Sequence, residues 1–272
     1  SCCIFLSMIS CNSEKYTVTE YTPNKITNVR SVKITEGCFS SMFIVDSLLF
    51  GENYTNCIFS ELQPKELFDT HELSLLNDNI VGRGFTDYSK DLFFIYNIMD
   101  DKIKWIPYHP KFRFEERYNT LVYDGSLCVN DNKGVIVYAS RYFDEVLFYN
   151  SDGKLLNGTY FSKIKKPELS KMYSGADYKT MLYFFSVYGT PSNCYVTRIA
   201  KPWDSLPKGN DLSIPTDILI FNWDGVLIDT YQYESLMSSF CIDEETGRSY
   251  CIINPEIPED FSVYLTEISL KK

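Results

Sequence analysis

The chain has 272 residues, 36 Asp and Glu against 26 Lys and Arg, and a formal net charge of −10. No Lys/Arg-rich stripe offsets that acidity, and such a surface repels nucleic-acid phosphates and anionic lipid, which excludes a DNA- or RNA-binding role. Aromatics make up 16% of the residues, and the apolar runs are rich in Tyr, Phe, Val, Ile and Thr, side chains that suit pleated, half-buried strands.

The first stretch, "SCCIFLSMISC", is apolar for ten residues and then gives way to the polar "NSEKYTVTEYTPNK". That is too short for a membrane-spanning helix, which needs roughly 20 residues, and it suits the apolar region of a signal peptide. Met8-Ile9-Ser10-Cys11 is similar to the lipobox of bacterial lipoproteins. The resemblance implies that Cys11 carries a diacylglycerol and that residues 1–11 are a signal remnant. Residues 12–28 are then a tether and residues 29–272 the folded domain, lipid-anchored in a bacterial cell envelope. The alternative is a buried first strand.

Beyond residue 28 one pattern recurs: a short strand, a turn with an Asp, then an apolar strand. It occurs in "SSMFIVDSLLFGEN", "GRGFTDYSKDLFFIYN", "GSLCVNDNKGVIVYAS", "SGADYKTMLYFFSVYG" and "SSFCIDEETGRSYCII". The turn acids Asp46, Asp87, Asp131, Asp177 and Asp243 are spaced by 41, 44, 46 and 66 residues. A strand-built repeat of about 40–50 residues predicts propeller blades.

A second hairpin follows the first in several units. "EVLFYNSDGKLLNGTY" and "DILIFNWDGVLIDTYQ" align without a gap, Asn150 on Asn222, Asp152 on Asp224 and Gly153 on Gly225. Asp-Gly between two apolar runs predicts a tight turn whose two central residues both take positive φ. "IMDDKIKWIPY" is a degenerate version. The same sibling disposes of a false lead. "FNWDGVLIDT" resembles the first motif of the haloacid-dehalogenase phosphatases, whose first Asp is the nucleophile, but Asn222 stands in that place and an amide forms no aspartyl-phosphate.

Four strands per unit, in an all-β chain, predict four-stranded antiparallel blades arranged as a β-propeller, with five units legible. Strands near residues 17–21 and 29–34 are expected to pair with the final "FSVYLTEISL", or to form a worn sixth blade. With the lipobox, "IFNWDGVLIDTYQYE" and the closing "SSFCIDEETGRSYCIINPE", the chain resembles the TolB-like six-bladed propeller lipoproteins of Gram-negative gut bacteria. That resemblance implies six blades and supplies no catalytic set.

Candidate binding residues are sought where strands join at a propeller mouth. Residues 189–216 read as a long connection, and such connections are often functional. It holds Tyr195, Arg198, Lys201 and Trp203, an aromatic face and cations suited to stacking on a sugar or peptide. The alternative is a braced loop in which "CYVTRI" adds an edge strand. Arg83, Arg141, Tyr142 and Tyr188 fall on the same side, where arginines clamp a carboxylate or phosphate in bidentate fashion, or else pair with nearby acids.

Catalytic signals are thin. His71 and His109 belong to no known motif, and the acid pairs Asp100–Asp101, Glu115–Glu116 and Glu244–Glu245 fall in turns or on opposite strand faces. No cofactor is implied, and calcium at the turn acids has no EF-hand spacing behind it. Cys241 and Cys251 flank a predicted hairpin, which leaves a cross-strand disulfide and two small buried hydrophobes as open readings. The expectation is a non-enzymatic envelope lipoprotein that binds a protein, peptide or glycan. A hydrolase using channel carboxylates and a structural scaffold are the alternatives.

Overall fold

Apolar alternation and turn chemistry produce strands throughout. The computed structural model describes residues 17–26, 28–34, 39–45, 48–53, 70–84, 91–108, 122–167, 180–205, 214–237, 239–253 and 263–270. In chain order the strands are β1 (Asn24–Lys25), β2 (Asn28–Ile34), β3 (Phe39–Val45), β4 (Leu48–Asn53), β5 (Thr70–Leu76), β6 (Asn79–Gly84), β7 (Asp91–Asn97) and β8 (Lys102–Pro107). They continue with β9 (Gly125–Asn130), β10 (Val135–Ser140), β11 (Glu145–Asn150), β12 (Leu155–Tyr160), β13 (Met181–Gly189) and β14 (Asn193–Pro202). The last are β15 (Thr216–Asn222), β16 (Leu227–Tyr233), β17 (Ser239–Asp243), β18 (Arg248–Ile253) and β19 (Val263–Ser269).

These strands form sheets in the orders β5-β6-β7-β8, β9-β10-β11-β12, β13-β14-β15-β16 with β1 beside β16, β17-β18-β19-β2, and the hairpin β3-β4. The expected pairing of the two ends of the domain is present: β2 lies antiparallel to β19, with Val263 opposite Ile34. Residues 17–21 are not in that sheet; Val18 instead bridges Tyr160 in parallel.

Neighbouring sheets stack face to face, and that stacking explains the unbroken apolar strands. Along β10 every residue is buried. Ile136 and Tyr138 pack towards β7 and β8 with Phe93, Ile95 and Ile106, while Val135 and Val137 pack towards β14 and β15 with Val196, Leu219 and Phe221. Side chains alternate across a strand, so a sheet with a neighbour on each face needs apolar residues at both parities. A third layer joins Ile218 and Ile220 to Phe240, Ile242 and Ile268.

The expected closed propeller is not what forms. β5 lies against β9, β9 against β13, β13 against β17 and β17 against β3, but among the described residues no comparable contact returns β3 to β5. The order of sheets is therefore open. Radial closure needs similar wedges, each held between two neighbours. Here the sheets have five, four, four, four and two strands, and the two-stranded hairpin β3-β4 stands at the gap.

Two repeat units also shift by one strand. Within the stretch 189–216, residues 193–202 form β14, which pairs with β13 on one side and β15 on the other. The hairpin β13-β14 turns at 190–192, so the apolar strand 181–189 opens this sheet instead of closing its first hairpin. In the second unit the first hairpin is β5-β6, turning at Asn77 with φ 53°, while Asp87 falls between β6 and β7.

The two Asn-x-Asp-Gly hairpins are the same structure. Asn150 Oδ1 accepts from the amides of Asp152 (3.1 Å) and Lys154 (2.8 Å), and Asn222 Oδ1 accepts from those of Asp224 (3.1 Å) and Val226 (2.9 Å). Among their central residues only the glycines take positive φ, 72° at Gly153 and 79° at Gly225. The turn is thus a glycine-bulge type rather than the two-residue turn expected. Cys241 and Cys251 are free thiols. Cys241 faces Tyr250 and Cys251 faces Phe240, a one-residue offset that puts the two sulfurs on opposite faces of the sheet. A different pair meets instead: Cys128 and Cys194, from neighbouring sheets, with sulfurs 3.6 Å apart.

Candidate functional site

The strand ends of three sheets bring the predicted arginines together with acids. Arg83, buried at the end of β6, donates to the Gly125 carbonyl and to the Asp124 carboxylate across the sheet boundary. The second oxygen of Asp124 takes Arg141 Nη1 at 2.8 Å. Arg141 leaves β10 with its guanidinium 5.7 Å from the Phe185 ring, its side chain 31% exposed and its Nε buried without a partner. One carboxylate thus holds two guanidinium groups, and Arg141 is the one that reaches solvent.

Arg198 forms the second cluster. It rises from β14 and grips Asp144 with two bonds, Nε to Oδ1 at 2.7 Å and Nη2 to Oδ2 at 2.8 Å. Its guanidinium lies 5.1 Å from the Phe161 ring and 5.7 Å from that of Tyr21. Burial alone lowers an Arg pKa, but Asp144 and Tyr21 outweigh it and hold this one above its ordinary value. The Tyr21 hydroxyl donates to Asp217 Oδ2 at 2.5 Å and accepts from Arg198 Nη1 at 2.8 Å. Its desolvation pushes the phenol pKa up, against the opposing pull of Arg198.

The remaining candidates lie elsewhere. Tyr195 is buried on β14, packs on Phe240 and donates to Glu244 Oε1 at 2.8 Å, tying two sheets together. That carboxylate also takes Asn193 Nδ2 at 2.7 Å, and these bonds overcome desolvation to lower its pKa. Tyr142 sits in the apolar layer between β5-β8 and β9-β12, and Tyr188 borders the third layer, with Ile218 and Phe240. Trp203 starts a short 3-10 turn, Trp203–Ser205, after β14. Cys11, Asp46, Asp87, His109, Glu115, Glu116 and Asp177 lie outside the described residues. Asp100 and Asp101 stand in an exposed turn, where Asp101 accepts from the Tyr96 hydroxyl at 2.8 Å. Among the described residues no group of three or more His, Cys, Asp or Glu is placed to hold a metal ion.

Sequence reasoning missed the acids that organise these clusters. Asp144 and Glu145 directly precede the apolar strand "VLFYN", and tandem acids at the mouth of such a strand were the available signal. Glu145 is fully buried, and neither carboxyl oxygen makes a hydrogen bond of good geometry. Desolvation pushes its pKa up to about 8; the nearby Tyr108 hydroxyl draws it down a little and Asp144 adds to the rise.

No family model matches the chain, and no curated protein matches it. Among solved structures it is similar to a member of the DUF4221 family from Bacteroides vulgatus, at a TM-score of 0.50 and 14% identity, covering 72% of this chain and 62% of that one. Less similar are BamB from Moraxella catarrhalis (TM-score 0.37, 10% identity, 72% of this chain, 42% of that one) and Saccharomyces cerevisiae Sqt1 (0.41, 10%, 73%, 46%). At these identities the likeness concerns fold alone, and the chain spans less than two thirds of the first structure's length. The expected TolB-like family is not supported: no family model matches, and among the described residues the sheets do not close into a ring. What stands is an all-β chain of stacked antiparallel sheets, distantly similar to other sheet-rich proteins.

Proposed function

We propose that the chain is a non-catalytic interaction module that binds a protein or peptide. One observation carries the reading: three neighbouring sheets expose large apolar residues at the same hairpin ends. They are Ile98 and Met99 beside the β7-β8 turn, Leu155 and Leu156 at the start of β12, and Val226 and Ile228 around the start of β16. The hairpins lean on one another, since Lys104 Nζ donates to the Asp152 carbonyl and Asn157 Nδ2 to that of Asp224. On a chain of net charge −10, a run of exposed apolar side chains marks a surface meant to be covered. Asp124 and Asp144 are spent on Arg83, Arg141 and Arg198, which favours binding over catalysis at these strand ends.

The lipobox-like Met8-Ile9-Ser10-Cys11 supports a place in the bacterial envelope, anchored through Cys11. Site-directed photocrosslinking in cells tests the module. A crosslinker at Leu156 or Ile228 is expected to give a discrete adduct with a protein, and one at the exposed Glu245 none. Equal labelling from all three positions, or none from any, overturns the reading.

A further inference from the structure

Residues 17–26 belong to the tether of the sequence reading, yet they run along the outer edges of two sheets. Val18 bridges Tyr160 in parallel, and the Thr19 amide donates to the Tyr160 carbonyl at 2.6 Å. Further on, β1 pairs in parallel with Tyr231 and Gln232 of β16, and the Ile26 amide donates to the Gln232 carbonyl at 3.0 Å. Between these two points a single side chain turns inward. Tyr21 places its ring edge-on to Phe161 at 5.4 Å and its hydroxyl between Arg198 and Asp217.

That receptor is held by its own contacts. Asp144 fixes Arg198 with two bonds, and Gln232 Nε2 donates to Asp217 Oδ1 at 2.8 Å. Elsewhere the strap is held at β16, where Asn24 Nδ2 donates to Asp229 Oδ1 at 3.2 Å and Thr230 Oγ1 to the Thr22 carbonyl at 3.3 Å, and of its ten residues only Ile26 is buried. Backbone pairing to a sheet edge plus one side chain in a pocket is how sheet edges take extended peptides.

We propose that the groove between β12 and β16 is a receptor for an extended peptide carrying an unmodified tyrosine, and that residues 17–26 fill it in cis. It lies towards the opposite end of these strands from the apolar hairpin rim and stands independently of it. The chemistry selects the phenol. Its hydroxyl gives Asp217 Oδ2 a donor and Arg198 Nη1 an acceptor, whose atoms otherwise stand 4.0 Å apart, so phenylalanine removes both bonds at a half-buried site. A phosphotyrosine would set its charge against the Asp217 carboxylate and loses the donor as well.

The test uses the full chain with Tyr21→Ala, which unlatches the strap, and a labelled synthetic peptide TVTEYTPNKI followed by fluorescence anisotropy. The peptide is expected to bind the variant at least about tenfold more tightly than the wild-type chain, a difference of about 1.4 kcal/mol. Versions with Phe or phosphotyrosine at the central position are expected to lose about tenfold or more. Equal binding to both chains, binding to neither, or equal binding of the Phe peptide overturns the proposal. A second measurement needs no variant: excess peptide added to the wild-type chain should speed hydrogen exchange at the Thr19 and Ile26 amides. Unchanged exchange at a saturating peptide concentration overturns it equally.

Discussion

Glu145 opens β11 with no exposed surface, faced by Tyr108, by Tyr149 and Tyr160 from its own sheet, and by the neighbouring Asp144. Its folded-state pKa of about 8 stands above the ordinary 4.5 because burial penalises the charge. A raised carboxyl pKa makes the folded chain keep a proton that the unfolded chain has released. The contribution is therefore whole below pH 4.5 and is lost as pH rises through 8. Chemical denaturation across that range should show stability falling as pH increases. Glu145→Gln, an uncharged isostere, should flatten the slope and leave the variant more stable than the parent at pH 9. A parent whose stability rises between pH 5 and 8, or a variant with the same slope, would show that Glu145 ionises freely in the fold.

At the scale of an element, the paired hairpins make a graded prediction. Gly225 has φ 79°, and a Cβ there would meet Asn157 Nδ2 at 2.8 Å and Phe148 Cδ2 at 3.1 Å. Gly247 has φ 69° with open space around it. Alanine at either position bears the left-handed backbone cost, roughly 1–2 kcal/mol. Only Gly225→Ala also presses one sheet away from the next, so its urea midpoint should fall further than that of Gly247→Ala. Equal midpoints would mean that the neighbouring sheet gives way without cost. The asparagines before these turns were visible in the sequence as a gapless alignment, and the matching bonds at Asn150 and Asn222 bear that alignment out. The backbone type was not visible, because Asp-Gly serves both two-residue and bulged turns.

For the whole molecule, the open order of sheets predicts uneven protection. The sheets β9-β12 and β13-β16 are covered on both faces by the apolar layers that include Ile136, Val137, Leu219 and Ile220. The sheet β5-β8 and the hairpin β3-β4 stand at the two ends of the order and have no comparable contact with each other. Sheets that stack on a single neighbouring sheet open more readily. Native-state hydrogen exchange should find the amides of Val137, Leu147 and Leu219 slowest, with those of β5 and β6 faster by at least an order of magnitude. Equal protection throughout would show that a sheet's place in the order does not set its local stability.

The sequence alone determined what local chemistry controls: strands from β-branched and aromatic runs, turns from Asn, Asp and Gly, and the rejection of the phosphatase motif at Asn222. Each depends on residues a few positions apart or on a simple parity. Only the tertiary structure decided the rest. Whether stacked sheets close into a ring depends on the width of every sheet, and the two-stranded β3-β4 has no local signature of standing at a gap. Whether Arg83 and Arg198 wait for a ligand depends on Asp124 and Asp144, 41 and 54 residues away along the chain. Likewise, nothing near Tyr21 in the chain foretells Asp217, which lies 196 residues away and completes its pocket. Charges and hydroxyls find partners by proximity in space, and that proximity is set by how the sheets stack.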